Sequence, residues 1–244
     1  MSWKMRSPRV VKHPSVRRAE FLAVARELFF ERGYDRTSID EVICRAGVSK
    51  GAFYHHFGSK EELLEALAAQ IAQEQLDQLG DVLADPTLNA FERLELFLAR
   101  GRQLKVEQAP RMRNLFAAIF RPENVLLYHR THMAIAAVTT PALSRIIQQG
   151  IEEGTFLVND ATIAAELLIQ LSSVPHASIC AFLNAGNAQD MRAAAAALER
   201  RIIEHAIAVD RVLGLPDGSV TFIEPGFMEA MTNLHMQPLL VATH

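Results

Sequence analysis

Thr37-Ser38-Ile39-Asp40-Glu41-Val42-Ile43-Cys44-Arg45-Ala46-Gly47-Val48-Ser49-Lys50-Gly51-Ala52-Phe53-Tyr54-His55-His56-Phe57 is the stretch whose reading decides the fold. Ser38 and Glu41 stand three apart, the spacing of a capping box, and predict a short helix behind them. Ile39, Val42, Ile43 and Ala46 share one face of that helix, and Gly47 stops it. Ser49 caps a further short helix from Lys50 to His56, and Phe57-Gly58 break it. Two short helices joined by Gly47-Val48-Ser49 have the layout of a helix-turn-helix unit.

Upstream, Phe21, Val24, Ala25, Leu28 and Phe29 form one apolar face of a helix that begins at Ser15 and ends at Gly33. Downstream, Ser59 and Glu62 form a second capping box, with Glu61 also placed at the positive end of the helix dipole. That box opens a long helix carrying Leu63, Leu64, Leu67 and Ile71 and reaching about Leu83. Helical patterns continue near 88–107, 110–120, 123–138, 141–153, 159–184 and 188–213, punctuated by Pro110, Pro122, Pro141 and the Gly150/Gly154 pair. Pro175 is expected to kink the fifth of these. The tail from Gly214 holds three prolines and room for one short helix, Phe227 to Leu234.

The expected fold is all-α: an N-terminal three-helix helix-turn-helix domain and a larger helical domain. The chain divides into a flexible basic arm (1–14), the helix-turn-helix domain (15–62), the helical body (63–213) and a C-terminal tail (214–244). Composition agrees. Half of the 244 residues are hydrophobic and 22% are charged, which excludes a disordered chain. Abundant Ala and Leu with few aromatic residues favour helix over strand.

No segment holds about 18 consecutive apolar residues, so no membrane span is expected. The basic N-terminus has no apolar stretch behind it, so no secretory signal is expected either. Cys44 and Cys180 lie far apart in helical patterns, and the expected compartment is a reducing cytoplasm.

Charge is unevenly placed. Residues 1–60 carry 12 Lys+Arg against 6 Asp+Glu, whereas the remainder carries 13 against 22. A basic head on an acidic body fits a polyanionic partner for the head alone, and equally a solvated basic face.

Enzymatic chemistry finds little support. The sequence holds no Gly-x-Ser-x-Gly elbow, no phosphate-cradling glycine loop and no His-Glu-x-x-His. His129/His132 and His176/Cys180 each share a helix face, but two ligands do not make a metal site. A His176–Cys180 nucleophile pair lacks an orienting third group. No catalytic residue, metal or cofactor is expected. The alternative to a DNA-binding regulator is a helical small-molecule-binding protein or enzyme whose basic head binds no DNA.

Residues 15–65, and above all Gly47-Val48-Ser49, Tyr54-His55-His56-Phe57 and Lys60-Glu61, resemble the N-terminal domain of TetR-type transcriptional regulators. The body resembles that family in its helical layout, in Gly150-Ile151-Glu152-Glu153-Gly154-Thr155-Phe156 before a long helix, and in the final Leu213-Gly214-Leu215-Pro216. The resemblance implies a sequence-specific transcriptional regulator, a repressor released from its operator by a small molecule, with a body that binds the ligand and forms a homodimer.

The DNA-facing residues then expected are Thr37, Ser38, Ser49, Lys50, Gly51, Ala52, Tyr54, His55, His56 and Lys60. The third helix enters the major groove by its N-terminal end, with Lys50 toward a base edge or phosphate. Gly51 permits close approach of the backbone. Tyr54, His56, Thr37 and Lys60 are expected at phosphates, and His55 toward the groove. Ala52 departs from the hydroxyl residue found in many relatives and offers a thymine methyl contact instead. Phe53 and Phe57 are expected in the core. Arg6, Arg9, Lys12, Arg17 and Arg18 form an arm that either tracks DNA or only solubilises.

In the body, Met112, Phe116, Phe120, Val125, His129, Met133, Leu171 and His176 are candidates for a small-molecule site, and equally for plain core. Along 188–213, Ala195, Leu198, Ile202, His205, Val209 and Val212 make one stripe and Ala196, Ile203, Ala206, Ile207 and Leu213 a second. A helix apolar on two sides packs on two surfaces, one its own core and the other a partner's. Ile202 and Val209 are expected in the seam between subunits.

Overall fold

The computed structural model describes residues 13–171 and 176–223, with 228 and 232 beyond them, and backbone alone at 105, 106, 109 and 110. All regular structure among these residues is helical. Helix α1 (Pro14–Arg32) carries a proline in its first turn, where the fixed φ suits the helix and the missing N–H costs nothing. Helix α2 (Ile39–Ala46) begins at the expected capping box, closed in both directions between Ser38 and Glu41. Helix α3 (Lys50–Tyr54) starts at Ser49, whose hydroxyl accepts the Ala52 N–H, and α4 (Lys60–Asp77) starts at Ser59, which accepts the Glu62 N–H.

The turn between α2 and α3 depends on Gly47, at φ 64° and ψ 37°. In that left-handed conformation its N–H reaches back to the Cys44 and Ile43 carbonyls, and the Val48 N–H also bonds Ile43. A side chain at this position is strained against the preceding carbonyl, so glycine turns the chain at least cost.

The four helices close on Phe21, Leu28, Phe29, Val42, Phe53, Phe57, Leu63, Leu64 and Leu67, all buried. Phe21 meets Phe53 and Phe57 edge-on, at ring separations of 5.4 and 6.1 Å. The same cluster runs on into Leu115, Ala118, Ile119 and Leu127. Head and body are thus divisions of the chain that share one core.

The body departs from the expected helix boundaries in three places. The long helix expected to reach Leu83 ends at Asp77, and a separate short helix, α5 (Gly80–Ala84), follows. The patterns at 88–107 and 110–120 merge into α6 (Ala90–Ile119). After a single 3-10 turn (Pro122–Asn124), those at 123–138 and 141–153 merge into α7 (Val125–Glu152), with Pro141 inside it. A helix-interior proline costs ~3 kcal/mol or more. Burial of Ala136, Ala142, Leu143, Ile146 and Ile147 on both sides of Pro141 offsets that cost, so packing overrides the local break.

Helices α8 (Ala161–Leu171) and α9 (His176–Leu183) flank the position of the expected Pro175 kink, which itself lies outside the described residues. By length and hydropathy Ala161–Leu183 is apolar enough to cross a membrane, which a count of consecutive apolar residues does not reveal. α8 packs Ala161, Ala164, Ala165 and Leu168 into a second core cluster and leaves Ile163 and Leu167 exposed.

Helix α10 (Ala188–Leu213) has the expected bounds, but the two residues expected at a partner are engaged within the chain. Val209 is 1% exposed and belongs to the second core cluster, and Ile202 leans on a third cluster around Phe182 and Met191. The large apolar side chain of α10 left open is Ile203, with Ala193, Ala196 and Ala197 also exposed. Beyond α10 the chain folds back. The buried Asp210 carboxylate accepts the N–H groups of Gly218, Ser219 and Val220, and Met228 is buried against the third cluster. Apart from Met228 and Thr232, the expected helix from Phe227 to Leu234 lies outside the described residues.

Candidate nucleic-acid interface

Helix α3 buries one side chain, Phe53, and turns the rest outward. Its N-terminal end presents Ser49, Lys50 and Gly51 to solvent, with Ala52 half-buried beside them. A Cβ at Gly51 would meet nothing within 4 Å, so the backbone there is open to close approach. The Lys50 side chain is 65% exposed and pairs with Asp40 at 3.5 Å. An ion pair this open contributes little and exchanges readily for a stronger anion. Tyr54 is 47% exposed with its ring edge-on to Phe53 at 5.3 Å, which fixes the ring and leaves the hydroxyl in solvent. His55 is exposed.

His56 lies half-buried, its ring 6.0 Å from Phe21. Burial holds its pKa below the usual imidazole range, helped by the electrostatic influence of neighbouring His55, Arg18 and Arg17. Arg18 lies over the Phe57 ring at 5.2 Å, and Arg17 pairs with Glu20. Arg6, Arg9 and Lys12 of the arm lie outside the described residues.

Two of the residues expected at phosphates are turned onto the protein's own carbonyls in the free chain. Thr37 is 1% exposed; its hydroxyl donates to the Gly33 carbonyl at 2.9 Å and its amide to Tyr34 at 3.2 Å. It ties the loop between α1 and α2 together from inside and has no donor turned outward. Lys60 folds back over the same loop. Its Nζ donates to the Tyr34 and Thr37 carbonyls, each at 3.0 Å, and sits 4.1 Å from the Tyr34 ring centre. Burial depresses its pKa while Asp35, Glu61 and Glu41 pull it back up. Both residues shape the loop that sets α2 relative to α1. Spacing alone shows them at helix starts, where a cap, a strut and a phosphate ligand look alike.

Ser38 is exposed, and its side chain is engaged with Glu41. That engagement holds the Glu41 carboxyl below the usual range. Arg32 and Arg45 pair with acidic neighbours, Glu41 and Glu27 respectively. Of the paired cations on this surface, Lys50 at the start of α3 has the more open side chain, 65% exposed against 52% for Arg32 and 44% for Arg45.

In the body, the structure brings part of the expected ligand site together. Phe116, Phe120, Tyr128 and His176 form a chain of rings, with separations of 5.9 Å (Phe116–Phe120), 5.6 Å (Phe120–His176) and 4.1 Å (Tyr128–His176). His132 stacks on Tyr128, and the buried Cys180 sulfur lies 3.5 Å from His176 Nε2. Met112 instead packs against the head's core, and His129 and Met133 are exposed. Tyr128 was not among the expected residues; its i, i+4 relation to His132 is the signal that marks it. Among the described residues no three His, Cys, Asp or Glu side chains are placed to hold a metal.

A capped two-helix unit with an open, basic-ended α3, set on a larger helical body, defines a helix-turn-helix DNA-binding regulator. Residues 21–67 match the family model for bacterial regulatory proteins of the tetR family. The N-terminal head is thus a TetR-type domain, and the chain is similar to TetR-type transcriptional regulators. It is 29% identical over 153 residues to the HTH-type transcriptional repressor KstR2 of Mycobacterium tuberculosis, covering 61% of this chain and 73% of that protein. Over 46 residues it is 56% identical to the TetC protein of transposon Tn10 from Escherichia coli, covering 19% and 23% of the two chains.

Solved structures share the fold along most of its length. The repressor QsdR of R. erythropolis superposes with a TM-score of 0.57 at 15% identity, covering 82% of this chain and 96% of that one. RolR in complex with resorcinol superposes with a TM-score of 0.55 at 22% identity, covering 93% and 96%.

Proposed function

We propose that the protein is a repressor that binds a near-palindromic operator as a homodimer and leaves it when a small molecule occupies the body. Ser38, Ser49, Lys50, Gly51, Ala52, Tyr54, His55 and His56 form its DNA surface. The observation that carries this reading is the outward face of α3, where Lys50, Tyr54 and His55 stand open at the tip of a basic head. The protein works in the cytoplasm and catalyses no reaction. The expected test is a binding series. Lys50→Ala should cost about 1–3 kcal/mol on the operator and relax preference at one half-site position. Tyr54→Phe should weaken operator and random DNA by the same factor, because a phosphate contact carries no sequence information. Equal losses on both DNAs for Lys50→Ala would mean that α3 is docked differently.

The dimer rests on the open apolar side of α8 and α10, where Ile163, Leu167 and Ile203 are about half exposed in the single chain. Ile203→Asp is expected to leave the fold intact and give a monomer by light scattering, with operator affinity falling in step. Val209→Asp is expected to unfold the body instead, because Val209 is core. A dimeric Ile203→Asp protein would place the interface elsewhere.

The ligand site is the ring cluster of Phe116, Phe120, Tyr128 and His176. Two observations support it: aromatic rings converge there with few polar groups, and RolR, of the same fold, has been solved with a small phenol. Effector and operator then oppose each other reciprocally by about 1–3 kcal/mol. Titration calorimetry of a bound effector with and without operator checks this. An effector whose affinity is the same in both would refute the coupling.

A further inference from the structure

The last turn of α1 is held by the body. A helix leaves its last four carbonyls without partners inside the helix. In α1 each one is satisfied. Phe29 accepts the Gly33 N–H, and Arg32 accepts Arg36 Nε at 2.8 Å. The middle two, Phe30 and Glu31, both accept from the side-chain amide of Asn114, at 2.9 and 3.1 Å. Asn114 belongs to α6, more than eighty residues along the chain. Gly33 has φ 89° and ψ 159°, a conformation essentially confined to glycine, and it turns the chain beside Asn114, whose carbonyl oxygen lies 3.5 Å from where a Cβ would be.

One step past the end of α6, Arg121 pairs with Asp35 at 2.7 Å, in the loop that follows Gly33. A second ion pair joins Arg130 of α7 to Glu65 of α4 at 2.5 Å. Leu115, Ala118, Ile119 and Leu127 of the body are buried in the head's own core. The hydrophobic effect that buries these side chains is itself non-directional. Hydrogen bonds to two named carbonyls and an ion pair to the next loop are directional, and they fix one orientation.

We propose that Asn114 and Arg121 are positioning residues that lock the DNA-binding head to the body at one angle, and thereby set the operator spacing the dimer accepts. This rests on the dimeric operator-binding reading above. Two recognition helices borne on one rigid dimer can meet successive grooves at only one separation. Moving one half-site by 2 bp displaces it about 7 Å along the duplex and turns it by about a fifth of a turn. A locked head cannot follow that move, and a released one can.

The test uses the full-length protein and an operator it selects from a random duplex pool. Binding is measured on that operator, on versions with the centre lengthened or shortened by 1 and 2 bp, and on a single half-site. The native protein is expected to lose at least tenfold in affinity at a 2 bp shift. Asn114→Ala with Arg121→Ala is expected to flatten that preference to about threefold or less while half-site binding stays unchanged. Arg121→Lys, which keeps the pair with Asp35, should retain the native preference. Arg121→Ala alone, which removes a half-exposed ion pair and spares the fold, should show the same trend to a smaller degree.

A double variant, or a folded Arg121→Ala protein, as selective for spacing as the native one overturns the proposal. A native protein indifferent to spacing overturns it too. A native protein that selects no DNA at all removes the operator-binding reading itself, a failure visible before any variant is made.

Discussion

Phe53→Ala is expected to cost about 3–5 kcal/mol of stability and to abolish operator binding, although Phe53 touches no DNA. The ring is fully buried, packed edge-on to Phe21 at 5.4 Å and tilted against Phe57 at 5.8 Å. It is also the one buried side chain of a five-residue helix. So short a helix has no stability of its own in water, and its packing holds it in place. Removing the ring leaves a cavity and frees α3 from the surface that aims it. Because the head's core continues into α6 and α7, urea unfolding should remain a single transition with a lowered midpoint. A loss below about 1 kcal/mol would show that α3 is not anchored through Phe53.

Arg93→Ala is expected to destabilise the body by a similar amount, about 3–5 kcal/mol, with DNA contacts untouched. Arg93 is buried, and its guanidinium faces no carboxylate at hydrogen-bonding distance. It donates instead to the carbonyls of Val82, Leu83, Asp85 and Leu88, and to the side chain of Gln149. Val82 and Leu83 lie in the last turn of α5, so Arg93 caps that helix and ties its exit loop onto α6 and α7. Alanine would orphan several buried acceptors together. Arg93→Lys keeps the charge but not the planar fork, and should recover less than half of the loss. Thermal unfolding of the three proteins at equal concentration checks this. An alanine variant within 1 kcal/mol of the native protein would mean that water replaces the guanidinium at no cost.

Where the sequence was legible, local rules and tertiary packing agree. Ser38, Ser49 and Ser59 cap their helices as their spacing predicts, and Gly47 takes the left-handed turn. Phe53 and Phe57 are core. Where it was not legible, packing overrode a local signal. Pro141 reads as a helix end and lies inside α7, because the buried residues around it outweigh one lost hydrogen bond and a clash.

The candidate site divides the same way. Lys50 and Tyr54 are open as their positions on α3 imply, whereas Thr37 and Lys60, equally well placed by spacing, are turned inward onto carbonyls of the loop at 33–37. A hydroxyl or ammonium at a helix start can face either way, and the choice depends on which carbonyls a distant turn leaves unpaired.

By itself the sequence determined the all-helical class, the capped two-helix unit, the basic head on an acidic body and the TetR-type character of that head. Each of these is written in residues a few positions apart, in caps, periodicity and charge. Only the tertiary structure decided which polar groups of the head stand open to solvent, that Val209 of α10 is buried while Ile203 is not, and that Asn114 and Arg121 of the body bond to α1 and its loop. Those outcomes depend on pairs of groups far apart in the chain, whose meeting is set by how the helices pack and by the need of every buried donor and acceptor for a partner.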